Sequence, residues 1–294
     1  MARSTIIGYP RIGRDRELKR ACEAYWKEAI PAAELLEVGA SLRRAHWEAQ
    51  RDAGIEFIPV NDFSFYDQVL DAIALVGAVP PRYQWSGDLV DIDTYFAMAR
   101  GAQGDGLDVT ALEMTKWFDT NYHYLVPEWQ PNQQFRLAST KPFDELAEAR
   151  ALGISAKPVL LGPLSLLLLG KGQTEDVDLL GATLDGIVAV YAEVIERLSA
   201  GGADWIQFDE PCLVQDRTPA ELAALTRAYT RLANHAAGTK LWVQTYFGSV
   251  DEAYPALAAL PVTAIGLDLV RGERNLASVV GHGFPQDKFL VVGV

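Results

Sequence analysis

The sequence predicts an α/β fold of the (β/α)₈-barrel type (a TIM-type barrel), incomplete at about seven strands and carrying a long insertion between strands 2 and 3. Three observations point there. Seven short runs are nearly continuous in β-branched and aliphatic residues, as strands buried on both faces must be. Amphipathic helical stretches closed by glycine precede most of them, and glycine suits the left-handed residue that ends a helix. Polar residues gather at the ends of the runs, the place where barrels of this kind carry their functional loops.

The first run is TIIGYP (5–10). After it, Asp15 is a plausible N-cap, and Leu18, Ala21, Cys22, Tyr25 and Trp26 recur at the i, i+3, i+4 spacing of one buried helix face. The helical pattern SLRRAHWEAQRDAG then leads into EFIPVNDF (56–63). Residues 64–156 break the rhythm with helical pieces, Pro80-Pro81, the run GAQGDGLD and the aromatic stretch EMTKWFDTNYHYLVPEW (113–129). They read as an insertion built on the barrel, not an independent domain. Strands resume with KPVLLGPLS (157–165), then DWIQFDEP (204–211), KLWVQTYFG (240–248), AIGLDLV (264–270) and FLVVGV (289–294). VAVYAEVIERLSAGGA and AELAALTRAYTRLANHAAG supply two of the intervening helices. A closed barrel needs eight strands. Either one strand is concealed in the insertion, or the chain, which stops inside an apolar run, is part of a longer protein; the second reading is preferred.

Composition sets further limits. The 294 residues are 49% hydrophobic and 22% charged, enough for a large core and unlike a disordered chain. A formal net charge of −13 argues against nucleic acid or an anionic membrane as partner. The longest apolar run, about 158–169, is too short for a bilayer. Two distant cysteines form no CxxC or disulfide framework, and with no charged apolar leader they predict a reducing cytoplasm.

Against that acidic background, residues 11–20 carry Arg11, Arg14, Arg16, Lys19 and Arg20 against Asp15 and Glu17, a local charge of +3. Cations in a first turn oppose the helix dipole, so this start suits an anionic ligand better than it suits helix stability. An ordinary solvated helix face explains the same spacing; position directly after the first strand favours the ligand. The stretch 113–129 interleaves Lys116, Asp119, Asn121 and His123 with aromatics, which can hold a flat ligand or pack inward as an edge strand. Strand ends offer Asn61, Asp62, Asp209, Glu210, Gln244, Tyr246 and Asp268, either for acid–base work or for pairing with cations such as Arg271. The four histidines show no metal-ligand spacing, and no phosphate-binding glycine motif follows a strand. No metal ligand and no catalytic residue is therefore assigned within this chain.

The motifs GYPRIGRDRELK, IPVNDFSFYDQVLD, EMTKWFDTNYHY, QFDEP, TYFG and GLDLVRG occur in one order along the whole chain. Together they resemble the N-terminal half of the cobalamin-independent methionine synthase family. The resemblance implies residues 1–294 to be an N-terminal folate-binding barrel, truncated at its C-terminal side, with a second, zinc-bearing barrel absent. It implies methyl transfer from 5-methyltetrahydropteroyltri-L-glutamate to L-homocysteine, giving L-methionine. Zinc, held by ligands outside this chain, would activate the thiol. The partners implied are the 5-methyltetrahydrofolate polyglutamate, homocysteine and the C-terminal barrel of the same protein; this part alone would be inactive. Site residues implied are Arg16, Glu17, Leu18 and Lys19 on the oligoglutamate tail, with Lys116 and Asn121 also on the folate. No role carries over to Asp209 and Glu210. Two other readings stand: a barrel hydrolase using strand-end carboxylates, and a non-catalytic docking domain.

Overall fold

The computed structural model describes residues 2–104 and 106–294, so Asp105 of the GAQGDGLD run lies outside the described residues. In chain order the elements are α1 (Glu17–Trp26), α2 (Ala32–Asp52), β1 (Ile58–Val60), α3 (Gln68–Leu75), α4 (Ile92–Arg100), β2 (Ala102–Gly104), β3 (Leu107–Val109), β4 (Met114–Lys116), β5 (His123–Leu125), β6 (Glu128–Trp129), α5 (Lys141–Ala151) and β7 (Ala156–Leu161). They continue as α6 (Pro163–Leu169), β8 (Lys171–Gly172), α7 (Leu184–Ala200), β9 (Trp205–Asp209), α8 (Pro219–Ala233), β10 (Lys240–Gln244), α9 (Tyr254–Ala259), β11 (Ala264–Asp268), α10 (Asn275–His282) and β12 (Phe289–Gly293).

Six of the expected runs form one parallel sheet in the order β1-β7-β9-β10-β11-β12. Spatial order follows chain order, the arrangement of a barrel wall. The first run joins by a single parallel bridge, Thr5 to Phe57. It goes no further because the Tyr9 N–H turns away to the Asp62 carboxylate at 2.8 Å, and Pro10 has no N–H to offer. Seven consecutive strand positions are thus occupied, and the far edge, β12, leaves Phe289 and Val292 exposed.

The insertion has more parts than its sequence suggested. Helix α5 is the crossover between the second and third barrel strands and packs on β1, β7 and α7. Ahead of it, β2–β3 and β4–β5 form antiparallel pairs, so the aromatic stretch is a hairpin.

Two local expectations are corrected. Asp15 does not cap α1: the N-cap is Arg16, in the left-handed region at φ 61° with no side-chain cap. The Asp15 N–H is instead taken by the Glu17 carboxylate at 3.0 Å. The expected strand 157–165 ends at Leu161, because Gly162 and Pro163 start α6 and proline at N1 is preorganised for a helix.

The core lies between the sheet and its helices, where Trp47, Tyr191, Phe208, Tyr229 and Tyr254 are fully enclosed. Glu210 is enclosed with them. Its carboxylate accepts the Leu164 and Ser165 N–H groups of the first turn of α6, at 3.2 and 2.7 Å, and the Tyr229 hydroxyl at 2.9 Å. A buried carboxylate survives only with such partners. Gly162 leaves room for it, since a Cβ there would collide with the Glu210 carboxyl. Gly162→Ala should therefore cost about 1–3 kcal/mol of stability by urea denaturation, the usual penalty of overpacking; an unchanged midpoint would show that Glu210 is free to move.

Candidate functional site

The C-terminal ends of the parallel strands open on a cavity of about 560 Å³. Its charged lining comprises Arg11, Asp62, Asp71, Lys141, Asp209, Asp268 and Arg271; its aromatic lining includes Tyr9, Trp117, Tyr122, Tyr191, Tyr246 and Phe247. Backbone geometry here is special. Asn61, Phe118 and Phe247 adopt φ of 66°, 52° and 80°. Such left-handed residues are held in place by their surroundings and concentrate at functional sites.

Each is anchored. Asn61, just past β1, donates its amide to the Val159 carbonyl at 2.8 Å, gives its N–H to Glu145 at 2.9 Å and accepts Lys141 Nζ at 2.8 Å. The Phe247 N–H donates to Asp268 at 3.0 Å, and the Val270 and Arg271 N–H groups donate to the same carboxylate at 2.9 Å. Phe118 sits in the β4–β5 turn, stacked 5.3 Å from Phe247. Beside it, Asp119 takes a bidentate pair of bonds from Arg271 at 3.0 and 2.9 Å. The hairpin is thereby tied to the loop after β11.

Burial sets the protonation of the lining. It pushes Asp62 up to about 7, reinforced by Glu145 and opposed by the Tyr9 N–H and by Lys141. It raises Asp209 to about 6, against the pull of the Gln207 amide, Lys157 and the Tyr246 hydroxyl. Lys157, enclosed beneath the cavity with its ammonium 3.9 Å from the centre of the Trp242 ring, is lowered by burial to about 7. Asp209 accepts from Gln207 at 2.6 Å and from Tyr246 at 3.1 Å, so both its oxygens are occupied. With Glu210 spent on α6 and raised by burial to about 7, the strand-end pair has no free carboxylate for hydrolysis.

None of the six residues implied by the family resemblance lines this cavity. They fall in two segments, the start of α1 and the β4–β5 hairpin, and of these the hairpin adjoins the cavity through Trp117 and Tyr122. Arg16 and Lys19 are exposed at the start of α1, Lys19 beside Glu23 at 3.6 Å. Glu17 is half-buried and folded onto the loop. Leu18 is only 1% exposed, so its side chain belongs to the core and only its backbone could meet a ligand. Lys116 and Asn121 are exposed on the hairpin.

In the loop 61–67 the sequence marked only Asn61 and Asp62, as strand-end candidates, and not the loop's part in joining these segments. Its Phe65 carbonyl accepts the Cys22 thiol of α1 at 3.7 Å, while its Tyr66 carbonyl accepts the Tyr122 hydroxyl at 3.3 Å. Asp67 accepts the Leu125 N–H at 3.3 Å and caps α3. The IPVNDFSFYDQVLD motif was the signal, since so polar an interruption between a strand and an apolar helix needs a local use.

Among the described residues no three His, Cys, Asp or Glu side chains converge as ligands. Both cysteines are free and buried, and burial holds them as thiols, Cys22 at about 11. Among the described residues no helix is long and apolar enough to cross a membrane.

The family model described as "Cobalamin-independent synthase, N-terminal domain" matches residues 3–294. A 5-methyltetrahydropteroyltriglutamate–homocysteine methyltransferase from Salinibacter ruber is 51% identical over 299 residues, covering 100% of this chain and 39% of its own length. The protein of the same name from Parvibaculum lavamentivorans is 50% identical, covering 100% of this chain and 38% of its own length. The chain thus spans well under half of these relatives. In fold it is similar to a B12-independent methionine synthase from Shewanella, with a TM-score of 0.63 at 15% identity over 90% of this chain and 72% of that one.

The raised carboxyls carry a prediction. Asp62 holds its proton to about pH 7 when folded but loses it near 3.8 when unfolded, so its contribution to stability is lost as pH rises from about 4 to 7. Asp62→Asn removes that loss. Its urea midpoint should gain on the wild type between pH 4.5 and pH 8, and parallel pH profiles would refute the assignment.

Proposed function

Since the chain belongs to the cobalamin-independent synthase N-terminal domain family, we propose that it is the folate-binding part of a methyltransferase acting on 5-methyltetrahydropteroyltriglutamate and homocysteine. The observation that carries this reading is similarity at about half identity along the full chain to relatives bearing that name. The reaction breaks the bond from N5 of the folate to its methyl carbon and forms a sulfur–methyl bond on homocysteine, yielding methionine and the demethylated folate. The amine leaving group needs a proton or its equivalent, and the thiol must lose one. Asp209 and Glu210, bonded into the framework on both oxygens, are placed for neither task. The work of this chain is binding, and methyl transfer needs the remainder of the protein. Zinc held by that remainder would supply the activation of the thiol.

The tail of the substrate is a string of glutamates joined to the folate, hence a flexible polyanion. Arg16 and Lys19 are the exposed cations of the RELK segment, and Lys116 with Asn121 offers a second set of donors across the loop 61–67. Arginine forks and lysine ammonium groups both suit carboxylates. Exposure of these residues outside the cavity lining leaves the cavity free and lets tails of different length run along the surface. Two buried free thiols agree with a reducing cytoplasm as the compartment.

A hydrolytic reading finds no support in carboxylates that are already hydrogen-bonded on both oxygens. Calorimetry on the 294-residue chain separates the remaining choices. Triglutamyl 5-methyltetrahydrofolate should bind more tightly than the monoglutamyl form, with the difference shrinking as salt is added. Arg16→Ala and Lys19→Ala should each weaken the triglutamyl form by about two- to fivefold, as exposed charge contacts do, and leave the monoglutamyl form unchanged. Equal affinities for the two tails would reject the reading.

A further inference from the structure

Arg11, in the loop that leads into α1, touches both the loop 61–67 and the β4–β5 hairpin. Its guanidinium donates from Nη1 to the Ser64 carbonyl at 2.7 Å and from Nη2 to the Tyr122 hydroxyl at 3.1 Å, and lies 5.7 Å from the centre of the Tyr122 ring. The Tyr122 hydroxyl in turn donates to the Tyr66 carbonyl at 3.3 Å. Burial pushes that phenol up to about 12, so it remains a neutral donor and acceptor at any working pH. One planar fork thus binds the first loop, the loop 61–67 and the hairpin together. Lysine has no such geometry, since its single ammonium cannot span a carbonyl and a phenol in fixed directions.

We infer that Arg11 is a positioning residue for the polyglutamate tail: it fixes the β4–β5 hairpin relative to the start of α1, so that Arg16, Lys19, Lys116 and Asn121 act on one ligand. The inference rests on the tail-binding reading above. It differs from the reading that Arg11 simply adds a positive charge against the tail. A charge contact survives replacement by lysine; a two-point strut does not. The strut also acts through Tyr122, so removing either partner should remove the same interaction.

The test uses the 294-residue chain with Arg11→Lys, Arg11→Gln, Tyr122→Phe and the double variant Arg11→Gln/Tyr122→Phe. Two quantities are read: amide hydrogen exchange across residues 114–125, and the ratio of monoglutamyl to triglutamyl dissociation constants. All four variants are expected to speed exchange in the hairpin, where the Trp117 N–H bonds the Tyr122 carbonyl at 2.8 Å. All are expected to lower the ratio by about three- to tenfold, with the double variant losing less than the sum of the two single losses. Wild-type behaviour of Arg11→Lys beside a loss in Arg11→Gln would overturn the inference in favour of a charge contact. So would unchanged exchange in Arg11→Gln, or fully additive losses in the double variant. If the wild-type chain itself shows no preference for the longer tail, the tail-binding reading falls, and with it the ligand half of the inference. Hydrogen exchange then still decides whether Arg11 holds the hairpin.

Discussion

Parallel pairing of every barrel strand is the constraint on which the rest depends. A parallel strand cannot reach its neighbour by a tight turn, so each must be followed by a crossover that returns the chain to the same end. The helices α2, α5, α7, α8, α9 and α10 are those crossovers, and they cover the sheet from outside. Every loop that leaves a strand's C-terminal end therefore emerges on one side. The first loop, the loop 61–67, the QFDEP and TYFG segments and the loop after β11 meet around one mouth for this reason. The hairpin from the insertion then reaches the mouth from above through Arg11 on one flank and Arg271 on the other.

Around the mouth, charge is spent unevenly. Asp209, Asp268 and Glu210 are saturated by hydrogen bonds from their own framework and hold loops or a helix start in place. They explain why a site so rich in carboxylates has no evident acid–base pair. Arg16 and Lys19 stand outside that framework, exposed to water, where attraction for a polyanion is modest per charge and additive along a tail. An overall charge of −13 makes that local patch more selective, since it repels anions elsewhere.

Much of this was legible in the sequence. Continuous apolar runs betrayed strands buried on both faces, and six of the seven appear in the sheet at nearly the expected places. Boundaries were less legible. The run KPVLLGPLS shows no change of hydropathy where strand becomes helix, because both halves are buried; only Gly162-Pro163 marks the switch. The Asp15 cap failed for a local reason: the first-turn Leu18 N–H goes to the Ile12 carbonyl, and Arg16 adopts a left-handed turn that residue type does not forecast. The Arg11–Tyr122 contact joins residues 111 apart and leaves no periodic trace, so it required the fold. Likewise only the fold shows that the MTKWFDTN segment turns Trp117 into the cavity while Lys116 and Asn121 stay out of its lining.

Backbone resonances followed by NMR as triglutamyl 5-methyltetrahydrofolate is added test the central claim most directly. Amides of residues 16–19 and of residues 116–121 should shift together along a single binding curve, and the shifts should fade with added salt. Shifts confined to residues inside the cavity, such as Asp209 and Tyr246, with both segments unmoved, would contradict the account.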